Sequence, residues 1–351
     1  MAKTVDSDVT GKITAPTEQM LRRFETKANV EVSMTMFPNF MDEVAKQRGT
    51  WNKFLLVAPT SLGDCVCSEP TIRFVCETYK NCEITVATNY PELFGHLKLK
   101  EIMTEKDALA MIDNHSAYEK YRVCRGYYGP GEPQSLYFPN FCVSVVDYIS
   151  LCMIRRQIPT KYKQPYFDTI NVKNKASQAS VIVHPGKTWP SRTIPASYWD
   201  KVIDRLNMQG ISVTVIGTKK MTVDISSHSN VTDLRDETSI LETIKLCAHP
   251  RAVLTNDSSV LHMAAAGSAP IGFFSTVKQP EYVTHWRARV PIGFNGIHFG
   301  YKMKNFAKWC LCDDVNLTTG SRRFDEISEP DLWSMLPAPA EIMSWITSGA
   351  Q

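Results

Sequence analysis

From Trp51 onward the chain alternates short, unbroken apolar runs with longer stretches of mixed polarity. Phe54–Ala58 is five apolar residues without polar alternation, the pattern of a strand buried on both faces of a parallel sheet. A helix over Pro70–Tyr79 and a strand over Glu83–Ala87 complete a βαβ unit. Pro91–Pro139 is less regular, with Gly126, Gly129 and Gly131 marking a loop, and Asn140–Arg155 predicts a mostly apolar helix. After the polar segment Asn171–Ser180 the alternation restarts. Strands are predicted at Val181–Val183, Val213–Ile216, Ala252–Leu254 and Pro270–Phe274, and helices at Ser197–Met208, Ser239–Ala248 and Leu261–Ala266. Pro339–Ser348 has the spacing of a final amphipathic helix, while residues 1–50 show only partial helical periodicity, at Met20–Phe24 and Phe40–Val44.

Strands and helices in strict turn imply an α/β protein with parallel, doubly wound sheets. Two such halves across a linker imply two Rossmann-like domains facing a cleft, where ligands of open α/β sheets bind. The expected organisation is an extension over 1–50, a first domain over 51–172, a second over 173–336, and a C-terminal helix over 337–351 packing back on the first domain.

Composition narrows this reading only slightly. A length of 351 residues with 43% hydrophobic and 21% charged residues suits a soluble two-domain protein. No apolar run approaches the ~20 residues that span a bilayer, and the first eight residues lack the apolar core of a secretory signal. A cytoplasmic protein is expected. A net charge of +3 neither requires nor excludes a polyanionic partner. The basic runs Arg155, Arg156, Lys161, Lys163, Lys173, Lys175 and Lys302, Lys304, Lys308 are expected to be solvated faces. The ten cysteines do not suggest a disulfide framework in a chain of this size. Cys65, Cys67, Cys76, Cys142, Cys152 and Cys247 lie among apolar neighbours and should pack as small hydrophobes. Cys310-Leu-Cys312 is too closely spaced for the usual zinc pair, and Asp313-Asp314 suits a cap better than a metal site, so no metal is expected.

Three segments that follow predicted strands carry the candidate chemistry. Pro59-Thr-Ser-Leu-Gly-Asp64 makes a tight turn from Thr60, Ser61 and Gly63, with Asp64 projecting at the start of the next helix. The ordinary use of such an aspartate is an N-cap, but this edge of the sheet faces the other domain. His184-Pro-Gly-Lys-Thr-Trp-Pro-Ser-Arg192 places Gly186, which permits close backbone approach, beside the cations Lys187 and Arg192. Two cations in the first βα loop of a nucleotide-type domain suit phosphate. Asn256-Asp-Ser-Ser-Val-Leu-His262 is a polar turn opening a small-residue helix, with Asp257 or Ser258 as N-cap and His262 one turn in. The N–H groups at such a helix start can receive a diphosphate. His262 is equally suited to packing against the sheet, and Trp189 and Trp286 could either stack on a nucleobase or pack in the core.

Ser61-Leu-Gly-Asp64, His184-Pro-Gly186 with Trp189-Pro and Arg192-Thr-Ile-Pro195, Asp233–Glu242 and Asn256–Ala265 occur in the order and spacing of the lipopolysaccharide heptosyltransferases, glycosyltransferases of the GT-B fold. The chain resembles that family over roughly residues 52–290. The resemblance implies that Asp64 is the catalytic base and that Arg192 contacts the donor diphosphate. It implies phosphate binding by Asp257, Ser258, Ser259 and His262, with an acidic residue near Asp224 for the ribose. Ser61, Gly63, Gly186 and Lys187 complete the expected donor-side set. Ser259 departs from the family's usual glycine, and Arg192 from its commoner lysine.

The expected activity is inverting, metal-independent transfer of a sugar, of unassigned class, from a nucleotide diphosphate sugar to an acceptor hydroxyl, with no cofactor. A saccharide or lipid-linked acceptor at the inner membrane surface is one reading. Hydroxylated bases in DNA are a second, and a nucleotide-sugar-binding module or epimerase without transfer is a third.

Overall fold

The structure is a computed structural model, and it describes residues 52–126, 144–154, 156–175, 179–187, 192–274 and 336–348, with the backbone alone at 296–299. Two all-parallel sheets form its two halves. In the first, β1 (Lys53–Val57) lies between β2 (Glu83–Ala87) and β4 (Arg122–Arg125), with β3 (Glu101–Met103) outside β2. The second sheet has the order β7-β6-β5-β8-β9-β10, from β5 (Val181–His184), β6 (Val213–Val215), β7 (Val231–Asp233), β8 (Ala252–Asn256), β9 (Ile271–Phe274) and β10 (Gly296–Phe299). This is the doubly wound order, first strand central and direction of progression reversed beside it. The expected fold class is what the structure has. The reversal falls between β1 and β4 and again between β5 and β8, and loops diverging there leave a crevice at the carboxyl ends of the strands.

The buried runs form the strands expected of them: Leu55, Leu56, Val181, Ile182, Val253 and Leu254 are all fully inaccessible. Helices α1 (Leu62–Thr78), α2 (Glu105–Asp113), α3 (Ser116–Lys120) and α4 (Val145–Ile154) belong to the first half. Helices α5 (Ala196–Met208), α6 (Ile240–Ala248) and α7 (Ser259–Ala264) belong to the second, and α8 (Pro339–Thr347) closes the described chain. The first core also takes in Ile244 from α6 and Met263 from α7, so the halves share an apolar seam.

Four expectations change. The stretch 91–139 holds β3, α2, α3 and β4, whose three- and four-residue strands are too short to show a pattern. Helix α1 starts at Leu62, not Pro70; proline favours a first helical turn, but Pro70 sits two turns inside this helix. Strands β7 and β10 were not foreseen; β7 is an edge strand reading Val-Thr-Asp, too polar and brief to stand out. Among the described residues, helix α8 packs on the second half and not on the first domain. Its Ile342, Met343 and Ile346 join Tyr198, Trp199 and Val202 in the core of the second half, and the Tyr198 hydroxyl donates to the Pro337 carbonyl at 2.7 Å. The N-terminal extension and the Cys310, Cys312 and Asp313-Asp314 segment lie outside the described residues.

Residues 156–170 are not simply a solvated linker. Lys163 is buried, and its Nζ lies 2.8 Å from Oδ2 of Asp147, itself buried in α4. Ser144 donates to the same oxygen, and burial raises the Asp147 pKa despite the lysine. Nearby, the fully buried Glu69 accepts from Arg73 Nε at 2.7 Å and from the Tyr166 backbone N–H at 2.9 Å. Gln164 then reaches over to donate to the Ala265 carbonyl.

Removing one member of a buried ion pair strands the other charge. Lys163→Met is therefore expected to lower stability by about 3–5 kcal/mol, read as the urea unfolding midpoint. Adding Asp147→Asn to that variant should recover part of the loss.

Candidate active site

The first rim is built where β1 ends. Ser61 is extended (φ −76°, ψ 142°) and caps α1, its Oγ accepting the Asp64 backbone N–H at 3.4 Å. The same hydroxyl donates to Asp64 Oδ2 at 2.5 Å, which fixes the carboxylate at the mouth of the crevice. Thr60 donates to Glu105 Oε1 at 2.6 Å, and Asn89 Nδ2 donates to Glu105 Oε2 at 2.5 Å. Neighbouring hydroxyls of one turn thus hold two carboxylates. Glu105 was not among the expected site residues because it lies in the stretch that lacked a pattern. Its only local signal is a Thr104 cap, which accepts the Asp107 N–H.

The second rim joins the ends of β5 and β8. Beyond His184 the chain bonds to the segment before Asp224: Val223 N–H donates to the Pro185 carbonyl at 2.9 Å, and Lys187 N–H to that of Met221 at 2.7 Å. Exposed Asp224 therefore lies beside the loop, and the Lys187 side chain is exposed as well. Asn256 Nδ2 donates to the carbonyls of Gly186 and Arg192, both at 2.8 Å. Arg192 Nη1 stands 3.3 Å from Asp257 Oδ2, the two side chains 17% and 10% exposed. Ser258 is the N-cap of α7 by backbone position, but its hydroxyl is turned to His184 Nδ1 and Thr255 Oγ1, each at 3.1 Å. Burial pushes the His184 pKa down to about 4, so this imidazole is neutral near pH 7.

The rims touch at Gly63. A Cβ at that position would lie 3.2 Å from His262 Cδ2 and 3.4 Å from the Ser259 Cα. This contact brings Asp64, His262, Ser259, Asp257 and Arg192 together from both sheets. His262 is buried, and desolvation lowers its pKa; the carboxylates of Asp257 and Asp64 act in the opposite direction, and Arg192 adds to the lowering. Gly186 has a similar close neighbour on its own side. A Cβ there would lie 2.5 Å from Asn256 Oδ1 and 2.7 Å from His184 Cε1. In the structure both glycines make room for protein side chains. Helix α7 has six residues, under two turns. Its contribution to an anion site is therefore individual N–H groups more than a long macrodipole. Trp189 and Trp286 lie outside the described residues. Among the described residues no group of three or more His, Cys, Asp or Glu side chains is arranged to hold a metal ion.

Residues 143–309 match the model of glycosyltransferase family 9 (heptosyltransferase). The matched segment contains the second rim and stops short of Asp64. No curated protein matches the chain by sequence. Among solved structures, E. coli ADP-heptose LPS heptosyltransferase II is similar with a TM-score of 0.55 at 16% identity, over 85% of this chain and 100% of that one. The family 9 glycosyl transferase of Veillonella parvula gives 0.54 at 11%, over 86% and 97%. TibC of enterotoxigenic E. coli, described as an iron-containing dodecameric glycosyltransferase, gives 0.56 at 14%, over 86% and 78%. At these identities the likeness is one of fold.

Gly186→Ala should force the Asn256 amide from its place. The expected cost is about 1–3 kcal/mol of overpacking, measured by thermal unfolding. A stability equal to that of the parent protein would contradict the packing described.

Proposed function

We propose that the chain is a heptosyltransferase-like glycosyltransferase that moves a sugar from a nucleotide diphosphate sugar to an acceptor hydroxyl, with inversion and without a metal ion. The observation that carries this reading is the Gly63 contact, which brings the helix turn bearing Asp64 against His262 and Ser259 at the start of α7, the helix that follows the Arg192-paired Asp257.

The second rim offers what a departing diphosphate needs. A guanidinium binds phosphate oxygens through two N–H groups at once, and a fixed cation stabilises charge that develops in the transition state. Arg192 is that cation. Asp257 is an unfavourable direct partner for a phosphate because both are anionic; paired with Arg192, it serves to aim the guanidinium. Backbone N–H groups at Ser258 and Ser259 are the donor-side partners at the start of α7, with the Ser258 hydroxyl committed to the fold. Burial lowers the His262 pKa, and a bound diphosphate would favour its imidazolium form.

Asp64 faces this from the other sheet. The acceptor oxygen forms its bond to the anomeric carbon while the bond from that carbon to the diphosphate oxygen breaks. The acceptor proton passes to the Asp64 carboxylate, and the electron pair leaves with the diphosphate. Attack opposite the leaving group inverts the anomeric centre. Nucleotide diphosphate heptoses are the natural first donors to try, since a TibC structure holds ADP-D-beta-D-heptose. The proposed acceptor is a saccharide or glycolipid. No helix among the described residues is long and apolar enough to cross a membrane, and we place the enzyme in the cytoplasm, at the inner membrane surface where the acceptor is lipid-linked.

Asp64→Asn should reduce transfer by about 10²–10⁴-fold while leaving nucleotide diphosphate affinity, measured by calorimetry, within a few-fold of the parent. Equal loss of both would remove Asp64 from the base role. Transfer should also persist in excess EDTA. An activity that EDTA abolishes and a divalent ion restores would overturn metal independence.

A further inference from the structure

We infer that Asn256 is a positioning residue for the donor clamp: its side-chain amide ties the carbonyls of Gly186 and Arg192 together and thereby sets where the Arg192 guanidinium stands. The role rests on the donor reading above, and nothing in the sequence motifs assigns it.

Both hydrogens of one NH₂ group are used, each in a 2.8 Å bond, across 70 and 64 residues of sequence. Gly186 lies just beyond the end of β5 and Arg192 just before α5. A single side chain thus ties the main chain at Gly186 to the main chain at Arg192. Rotation of the amide by a half-turn would point Oδ1 at two carbonyl oxygens, so the hydrogen-bond pattern itself fixes its orientation.

In that orientation Oδ1 is buried, without a hydrogen-bond partner, against the open face of Gly186. Asn256 is 1% exposed. An unpartnered buried oxygen is costly, and an apolar residue would avoid the cost. It could not bond the two carbonyls, however. Aspartate would aim two acceptors at two acceptors, and serine could reach at most one carbonyl with its single hydrogen.

The neighbouring residue completes the arrangement. Asp257 meets the Arg192 side chain at 3.3 Å while Asn256 bonds the Arg192 main chain. Two consecutive residues at the end of β8 therefore hold Arg192 at both ends.

The test compares the parent protein, Asn256→Ala, Asn256→Ser, Arg192→Ala and the Arg192→Ala/Asn256→Ala double variant. ADP, UDP, GDP and inorganic pyrophosphate serve as probes in calorimetry. Hydrogen exchange of peptides covering 184–194 is followed without ligand. Asn256→Ala should speed exchange in that loop and weaken binding of the preferred probe about tenfold or more, with Asn256→Ser intermediate and sufficient if the alanine variant fails to fold. In the Arg192→Ala background the same substitution should add nothing to the loss, since residues acting through one another are not additive. Unchanged loop exchange, unchanged affinity or a fully additive second loss would each overturn the role of Asn256 while leaving the donor reading intact. Failure of the parent protein to bind any of the four probes would overturn the donor reading, and the positioning role with it.

Discussion

Between the first turn of α1 and the start of α7 there is little room for a side chain, and position 63 has none. A methyl group there would press on His262 and on the Ser259 backbone at 3.2 and 3.4 Å. A glycine inside a helix costs roughly 0.5–1 kcal/mol relative to alanine. Here the close approach sets two sheet edges against each other. Asp64 and Arg192 follow strands of different sheets, and the proposed site can contain both because these helices touch. The apolar seam of Ile244 and Met263 in the first core reinforces the contact.

Around that contact the polar groups fall into two kinds. Some are spent on the fold: His184 and Ser258 on each other, Asn256 on two carbonyls, Lys163 on Asp147. Others, in the proposed reading, act on donor and acceptor: the Arg192 guanidinium and the Asp64 carboxylate. The first kind makes the second kind specific. In the proposed reading, an arginine bonded at its main chain and contacted at its side chain is a directed phosphate ligand, and fixed donors stabilise developing charge without reorganising during the reaction.

Glu105 illustrates how much of the first rim depends on folding. It arrives at the mouth of the crevice because β3 pairs with β2, so that α2 begins on the same edge as α1. Strand β3 is three residues long, and its neighbours in sequence carry no period. Pairing with a longer, better-defined strand gives such a segment its structure, and a linear pattern holds no trace of that.

Hydrophobic runs of three to five residues were enough to reveal the central strands, because a strand covered on both faces is apolar at nearly every position. They were also enough to reveal parallel order, since each run is separated from the next by a helix-length segment. Small and polar residues placed at the ends of those runs marked Asp64, Arg192 and the Asp257–His262 turn as candidates. Folding decided how these groups are used. Gly186 yields its space to Asn256 and His184, Ser258 turns inward, and Asp257 faces Arg192. The final helix settles on α5 of the second half. Local periodicity is written in contiguous residues, so a sequence displays it directly. Contacts such as the two amide bonds of Asn256 join residues far apart in the chain, and their geometry exists only once both sheets are in place.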